Sequence, residues 1–251
     1  MNQNRTRDKR RLAQEVEARF GLMPNFFCTA AAAPGLIDEL WAFAKSAYLD
    51  SPLPSLFKER LFVYLSRFCA VRYCIVRHVG FLIGEGRPAG DTTAVPETIE
   101  QVIELLTRPA RCPRALEQAL ARLEALIGLA GIPAPRTELE SDLFDALTII
   151  FLEPRLSERA RNAVRRAFGE QAFETLAAYL AFIRTAHYWT ETHPELSIMW
   201  FQSLRRRSQR HRLTWERIKK LANDFFPLPK ILHPWPDVRF AVTTQGGSRM
   251  P

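Results

Sequence analysis

Apolar residues recur every three or four positions along most of this 251-residue chain, while the alternation typical of strands is weak throughout residues 20–195. Leu36, Leu40, Trp41, Phe43 and Ala44 make one apolar helix face behind Pro34, a residue suited to a first helical turn. Leu116, Leu120, Leu123 and Ile127 make another in a helix read as Pro113 to Leu129. Leu143, Phe144, Leu147 and Ile150 follow Ser141 with the same spacing. Phe57–Tyr64, Val71–Leu82 and Thr98–Leu106 read as shorter helices. Ser157 is placed as an N-cap for Glu158–Phe168, Gly169 ends that helix, and Gln171–Trp189 continues as a long apolar one. Pro52 and Pro54, Gly84 to Asp91 and Gly131 to Pro135 supply the turns. The expected fold is therefore an all-α helical bundle over residues 20–196, preceded by a charged helix or arm at 1–19.

Composition narrows the function classes. The chain is 47% hydrophobic and 25% charged, ordinary for a globular protein with a sizeable core. No run of about 18 apolar residues occurs, so no membrane-spanning helix is expected. Met1 to Arg11 is polar and basic, unlike a secretory signal. Cys28, Cys69, Cys74 and Cys112 are scattered, which fits reduced thiols in the cytoplasm better than a disulfide framework. With no Cys-x2-Cys pair and dispersed histidines, neither a metal nor a cofactor is expected. Gly84-Glu85-Gly86 follows a helix rather than a strand and is no nucleotide fingerprint.

The net charge of +8 is unevenly placed. Residues 198–251 hold 11 Lys+Arg against 3 Asp+Glu, which accounts for the whole excess. Residues 197–251 thus read as a separate basic tail. Its cluster Arg205, Arg206, Arg207 and Arg210 is interleaved with Trp200, Phe201 and Trp215, followed by Phe225, Phe226 and Trp235. Cationic side chains neutralise phosphates and aromatic rings stack on bases, so an RNA contact is one reading. A solvated basic helix followed by a Pro-rich tail is the other, and no complete nucleic-acid-binding motif is present.

The residues that carry chemistry are Glu59, Cys74 and His78, in the register Glu-x14-Cys-x3-His. Residues four apart on a helix share a face, so a thiol at 74 and an imidazole at 78 are placed for proton exchange. A carboxylate brought in from another helix would orient the imidazole or take its proton, the arrangement of an activated nucleophile. Cys69 is the candidate second thiol. On one unbroken helix its Cα would lie roughly 8–9 Å from that of Cys74, beyond the roughly 7 Å a disulfide tolerates. Only a helix break, with Ser66 capping a new helix, would bring it closer.

These residues resemble the helical family of alkyl hydroperoxidase D and carboxymuconolactone decarboxylase. Lys58-Glu59-Arg60 matches that family's Lys-Glu-Arg, and Cys74 and His78 match the second cysteine and the histidine of its Cys-x-x-Cys-x-x-x-His. Gly21-Leu22-Met23-Pro24-Asn25 is similar to the entry of the family's domain. The first cysteine's position holds Val71, so the family's peroxidase cycle through a disulfide is not carried over whole. His187-Tyr188-Trp189-Thr190-Glu191-Thr192-His193-Pro194-Glu195 resembles the close of the variant found ahead of bacterial sensor histidine kinases, though no kinase module follows here. His187 is read either as joining a pocket with His78 or as a helix-end histidine held by a backbone carbonyl. The tail, with Arg-Arg-Arg-Ser-Gln, Leu-Thr-Trp-Glu and Leu-His-Pro-Trp-Pro in order, resembles the C-terminus of group II intron-encoded reverse transcriptases, without the polymerase palm.

The resemblance implies two alternative roles. In one, Cys74 is a reactive thiol, His78 its proton partner and Glu59 the relay carboxylate of a degenerate site with residual peroxidase-like activity. In the other, the domain is a non-catalytic sensory or ligand-binding module for a small molecule that the sequence does not identify. The family also implies a homo-oligomer.

Overall fold

The structure, a computed structural model, describes residues 2–30, 33–193 and 195–196. The assignments made to the tail, Arg205, Arg206, Arg207, Arg210 and Trp215 among them, lie outside the described residues. Every regular element that is described is helical. The α-helices are α1 (Asn2–Phe20), α2 (Pro34–Ala44), α3 (Ser55–Phe68), α4 (Arg72–Leu82), α5 (Ile99–Thr107), α6 (Pro113–Glu124), α7 (Glu138–Leu152), α8 (Glu158–Phe168) and α9 (Glu170–Thr192).

Helix α3 is the centre of the bundle. Its ten consecutive residues from Phe57 to Ser66 are all buried, the signature of a helix covered on every side rather than one lying on a surface. It packs against α4, α5, α7 and the short turn at Pro88–Gly90. α4 in turn meets α9, while α6, α7 and α8 pack on one another. Leu61, Val63 and Leu65 are fully enclosed, each side chain contributing roughly 1.5–3 kcal/mol by leaving water. The end of α1 joins the same core through Val16 and Phe20.

The junction of α3 and α4 is a sharp stop. Val71 N–H donates to Ser66 O at 3.1 Å and Ala70 N–H to Arg67 O at 3.3 Å. Ala70 takes a φ of +56°, so an alanine fills the left-handed position that glycine usually holds in this end motif. The helix break considered for Cys69 is thus present, but Ser66 does not cap the second helix. Ser66 is the third residue from the end of α3, and its carbonyl is consumed in closing it. Val71 precedes α4 without a side-chain cap.

Two other local expectations are corrected. α6 ends at Glu124, and Ile127, assigned to its apolar face, is 73% exposed. The chain turns away because Gly128 and Leu129 donate their N–H groups to Arg166 O and Ala167 O, capping the end of α8. Ser157 does stand before α8, but its hydroxyl donates back to Pro154 O and accepts from the Arg161 side chain, and caps no backbone N–H of the helix. Thr98, by contrast, forms a reciprocal capping box with Gln101 at the start of α5.

The loop after α4 is pinned by Gly86. A Cβ there would lie 2.7 Å from the Phe81 ring, and its φ of +131° belongs to glycine. Beside it, Arg87 N–H donates to Phe20 O at 2.9 Å, tying α1 to this loop.

Candidate functional site

Lys58, Glu59 and Arg60 are three consecutive charged residues, and all three are buried. Successive helical residues point about 100° apart, so each charge faces a different neighbour. Buried charges are tolerated only with partners, and each has found its own. Lys58 Nζ donates to the carbonyls of Tyr48, Leu49 and Ser51 at 2.6, 3.3 and 3.2 Å. Burial pulls its ammonium down to about 8, against the opposing charge of Glu59. Arg60 forks onto Glu140 at 2.7 and 2.9 Å and reaches Glu97 at 2.7 Å.

Glu59 is the hub. Its Oε2 lies 2.6 Å from His78 Nδ1. Its Oε1 accepts from the Tyr48 hydroxyl and from Ala89 N–H, the latter at 2.6 Å. Three donors from three separate elements therefore converge on one fully buried carboxylate. Tyr48 is delivered by a π-helical turn, Lys45–Leu49, that continues α2 and closes with Asp50 N–H on Lys45 O. Such turns shift the register of side chains and recur at functional sites. Ala89 is delivered by the Pro88–Gly90 turn, where its own φ is +44°, a strained value for a residue with a Cβ. Neither Tyr48 nor Ala89 carries a sequence signal for this role; only the tertiary placement shows it.

His78 lies flat on Phe62, ring centroids 3.5 Å apart. Its Nδ1 edge is the one that meets Glu59. Among the described residues Nε2 has no hydrogen-bond partner. The Tyr48 and Tyr179 hydroxyls nearby are held well above the ordinary phenol range, in both cases chiefly by burial and then by the charge of Glu59.

Cys74 points elsewhere. It is 2% exposed, and its Sγ lies 3.7 Å from Thr190 Oγ1 on α9. Among the described residues it makes no hydrogen bond to His78. Burial pushes the thiol up to about 12, outweighing the Thr190 contact. Cys69, at the end of α3, is half-buried, and burial raises it to about 11. Both cysteines are free thiols. The structure therefore brings Glu59 and His78 together and leaves the sulfur of Cys74 to Thr190.

His187 is not held by a backbone carbonyl. Its Nε2 lies 2.7 Å from Ser66 Oγ, and the Phe62 ring touches both His187 and His78. Burial, with the charges of His78 and Arg184, lowers His187 to about 3, so it stays neutral. The carbonyl-bound histidine is His193, on Trp189 O at 2.8 Å. Among the described residues no three His, Cys, Asp or Glu side chains are grouped to hold a metal ion, and no helix is long and apolar enough to cross a membrane.

No protein-family model, curated protein or solved structure matches this chain.

Proposed function

We propose that residues 20–196 are a hydroperoxidase D-like helical domain whose thiol chemistry has lapsed, serving as a non-catalytic sensory or small-molecule-binding module. The observation that carries this reading is the state of Cys74. A nucleophilic cysteine needs its thiolate and access to substrate, and this one is enclosed, protonated and bonded to Thr190. Val71 stands where the family resemblance places the other thiol, so a sulfenic acid at Cys74 has no partner at that position to resolve it. What is retained is the Glu59–His78 pair, joined through Nδ1 inside the core. The basic tail, on its sequence, is proposed to contact RNA phosphates.

Peroxide consumption with a dithiol donor tests this. No turnover above the donor alone is expected. Turnover that survives Cys69→Ser would overturn the reading.

A second reading is favoured by the chain break at Ala70, which takes Cys69 off the α4 helix axis. In it Cys69 is the resolving thiol of a residual thiol-dependent peroxidase. Peroxide turnover that is abolished by Cys69→Ser would establish that reading in place of the first.

A further inference from the structure

Residues 24–29 cross the seam where α4 meets α9. The chain leaves α1 through Gly21, φ +74°, and reaches Ala30, φ +53°, so a left-handed residue bends it on either side of this segment. The regular structure within it is one 3₁₀ turn, Asn25–Cys28, too short to persist unaided. Phe26 and Phe27 anchor it in the core.

Two hydrogen bonds fasten the segment to the two helices. Phe26 N–H donates to the Tyr73 hydroxyl on α4 at 3.1 Å. Trp189 Nε1–H on α9 donates to Thr29 Oγ1 at 3.1 Å, and the Trp189 ring lies 6.5 Å from that of Phe26. Tyr73 and Trp189 are the residues immediately before Cys74 and Thr190. The segment therefore grips both helices beside the contact that encloses the thiol.

That contact is a weak tie between the helices. Thr190 Oγ1 lies 2.9 Å from Ala186 O and 3.1 Å from His187 O, so its proton is spent on its own helix. Its oxygen is left to accept from Cys74 Sγ at 3.7 Å, and a thiol is a weak donor. The two bonds made by residues 24–29 have nitrogen donors and ordinary lengths.

We infer that residues 24–29 are a strap that gates Cys74: while it is fastened to Tyr73 and Trp189 the thiol is shut between α4 and α9, and its release exposes the thiol without unfolding the rest of the bundle. The inference rests on the reading that Cys74 is inert because it is enclosed, and adds what controls the enclosure. α6, α7 and α8 pack on one another and take no part in it.

The probe is iodoacetamide, applied to the full chain at pH 8. Cys74 labelling is timed by mass spectrometry, with exposed Cys112 as the internal reference. Tyr73→Phe and Thr29→Val each remove one acceptor oxygen from the strap's bonds. Each should speed Cys74 labelling roughly fivefold, and the two together roughly twenty-fivefold, the worth of one and of two neutral hydrogen bonds. Urea separates a local opening from global unfolding. In the native chain the Cys74 rate should be nearly flat in urea well below the unfolding midpoint, because a local opening exposes little surface. Leu120→Ala, a core truncation in α6, should weaken the bundle and leave the Cys74 rate unchanged. The urea series and Thr29→Val keep the test in force even if Tyr73→Phe does not fold. Slow labelling that neither strap variant raises, an equal rise in Leu120→Ala, or a rate that climbs with urea as steeply as global unfolding would each overturn the strap. Fast labelling of Cys74 in the native chain would instead overturn the reading of Cys74 on which the strap rests.

Discussion

His78 Nδ1 and Glu59 Oε2 lie 2.6 Å apart although they sit on different helices. The contact exists because α3 and α4 are folded back on each other across the Ala70 turn, with Glu59 fully enclosed between them. The same carboxylate collects donors from Tyr48 and Ala89, so it binds α3, α4, the π turn and the 88–90 turn into one unit.

Glu59→Gln should therefore cost far more than a loss of charge. The amide brings N–H groups into a site where every neighbour is already a donor. Leaving a buried donor without its acceptor costs about 1–3 kcal/mol, and a loss of at least that order is expected in denaturant unfolding. A change within about 0.5 kcal/mol, the range of an ordinary surface substitution, would mean that Glu59 is not the hub.

Thiol reactivity should follow burial and not motif. Cys112 is exposed and should be alkylated first. With the Cys74 thiol raised to about 12, its thiolate fraction at pH 8 should be about a thousandfold below that of an ordinary cysteine. Mass spectrometry after timed alkylation of the native protein measures this. Fast modification of Cys74 below pH 8.5 would restore the case for an activated nucleophile.

His187 should make the protein acid-sensitive. Its folded value of about 3 lies below the ordinary histidine value, so the unfolded chain binds the extra proton between about pH 6.5 and pH 3. The stability it confers is full above pH 6.5 and is lost as the pH falls through that window. The loss should reach a few kcal/mol. His187→Gln keeps an amide near Ser66 Oγ and removes the titration, so its unfolding free energy should fall less steeply from pH 6.5 to pH 4. Identical slopes would count against a neutral, buried His187.

Arg60 should be harder to replace than its place beside Glu59 suggests. It is the donor to both oxygens of Glu140 and to Glu97, each of these residues nearly inaccessible. Arg60→Leu should destabilise by about 3–5 kcal/mol. Arg60→Lys should recover only part, because an ammonium cannot reproduce the fork. Full recovery with lysine would show that charge alone matters there.

Deleting residues 198–251 should leave the helical domain intact, since Leu196, the last described residue, is already fully buried and retained by the cut. The melting temperature should be close to that of the full chain. Any RNA binding should vanish with the deletion and, in the full chain, weaken steeply with salt as counterions are released. Unfolding or aggregation of the truncated protein would mean that the tail completes the core.

Much of the helical layout was legible in the sequence because it rests on local periodicity and turn chemistry. Pro34, Thr98 and Pro113 stand at helix starts, as the spacing predicts. Local reasoning failed where the backbone served a distant partner. Gly128 and Leu129 leave α6 to cap α8, and Ser157 turns its hydroxyl to Pro154. Ser66 Oγ shares a hydrogen bond with His187, 121 residues away.

By itself the sequence determined that the described chain is helical, that its excess positive charge is confined to the last fifth, and that Glu59, Cys74 and His78 stand in a register open to proton chemistry. Only the tertiary structure decided which of them meet. Helical spacing sets Cys74 and His78 one turn apart, but the direction each side chain takes depends on what packs against α4. Phe62 and Glu59 on α3 claim the imidazole, and Thr190 on α9 claims the thiol. Hydrogen-bond partners drawn from other helices are long-range contacts, and periodicity along one helix carries no information about them.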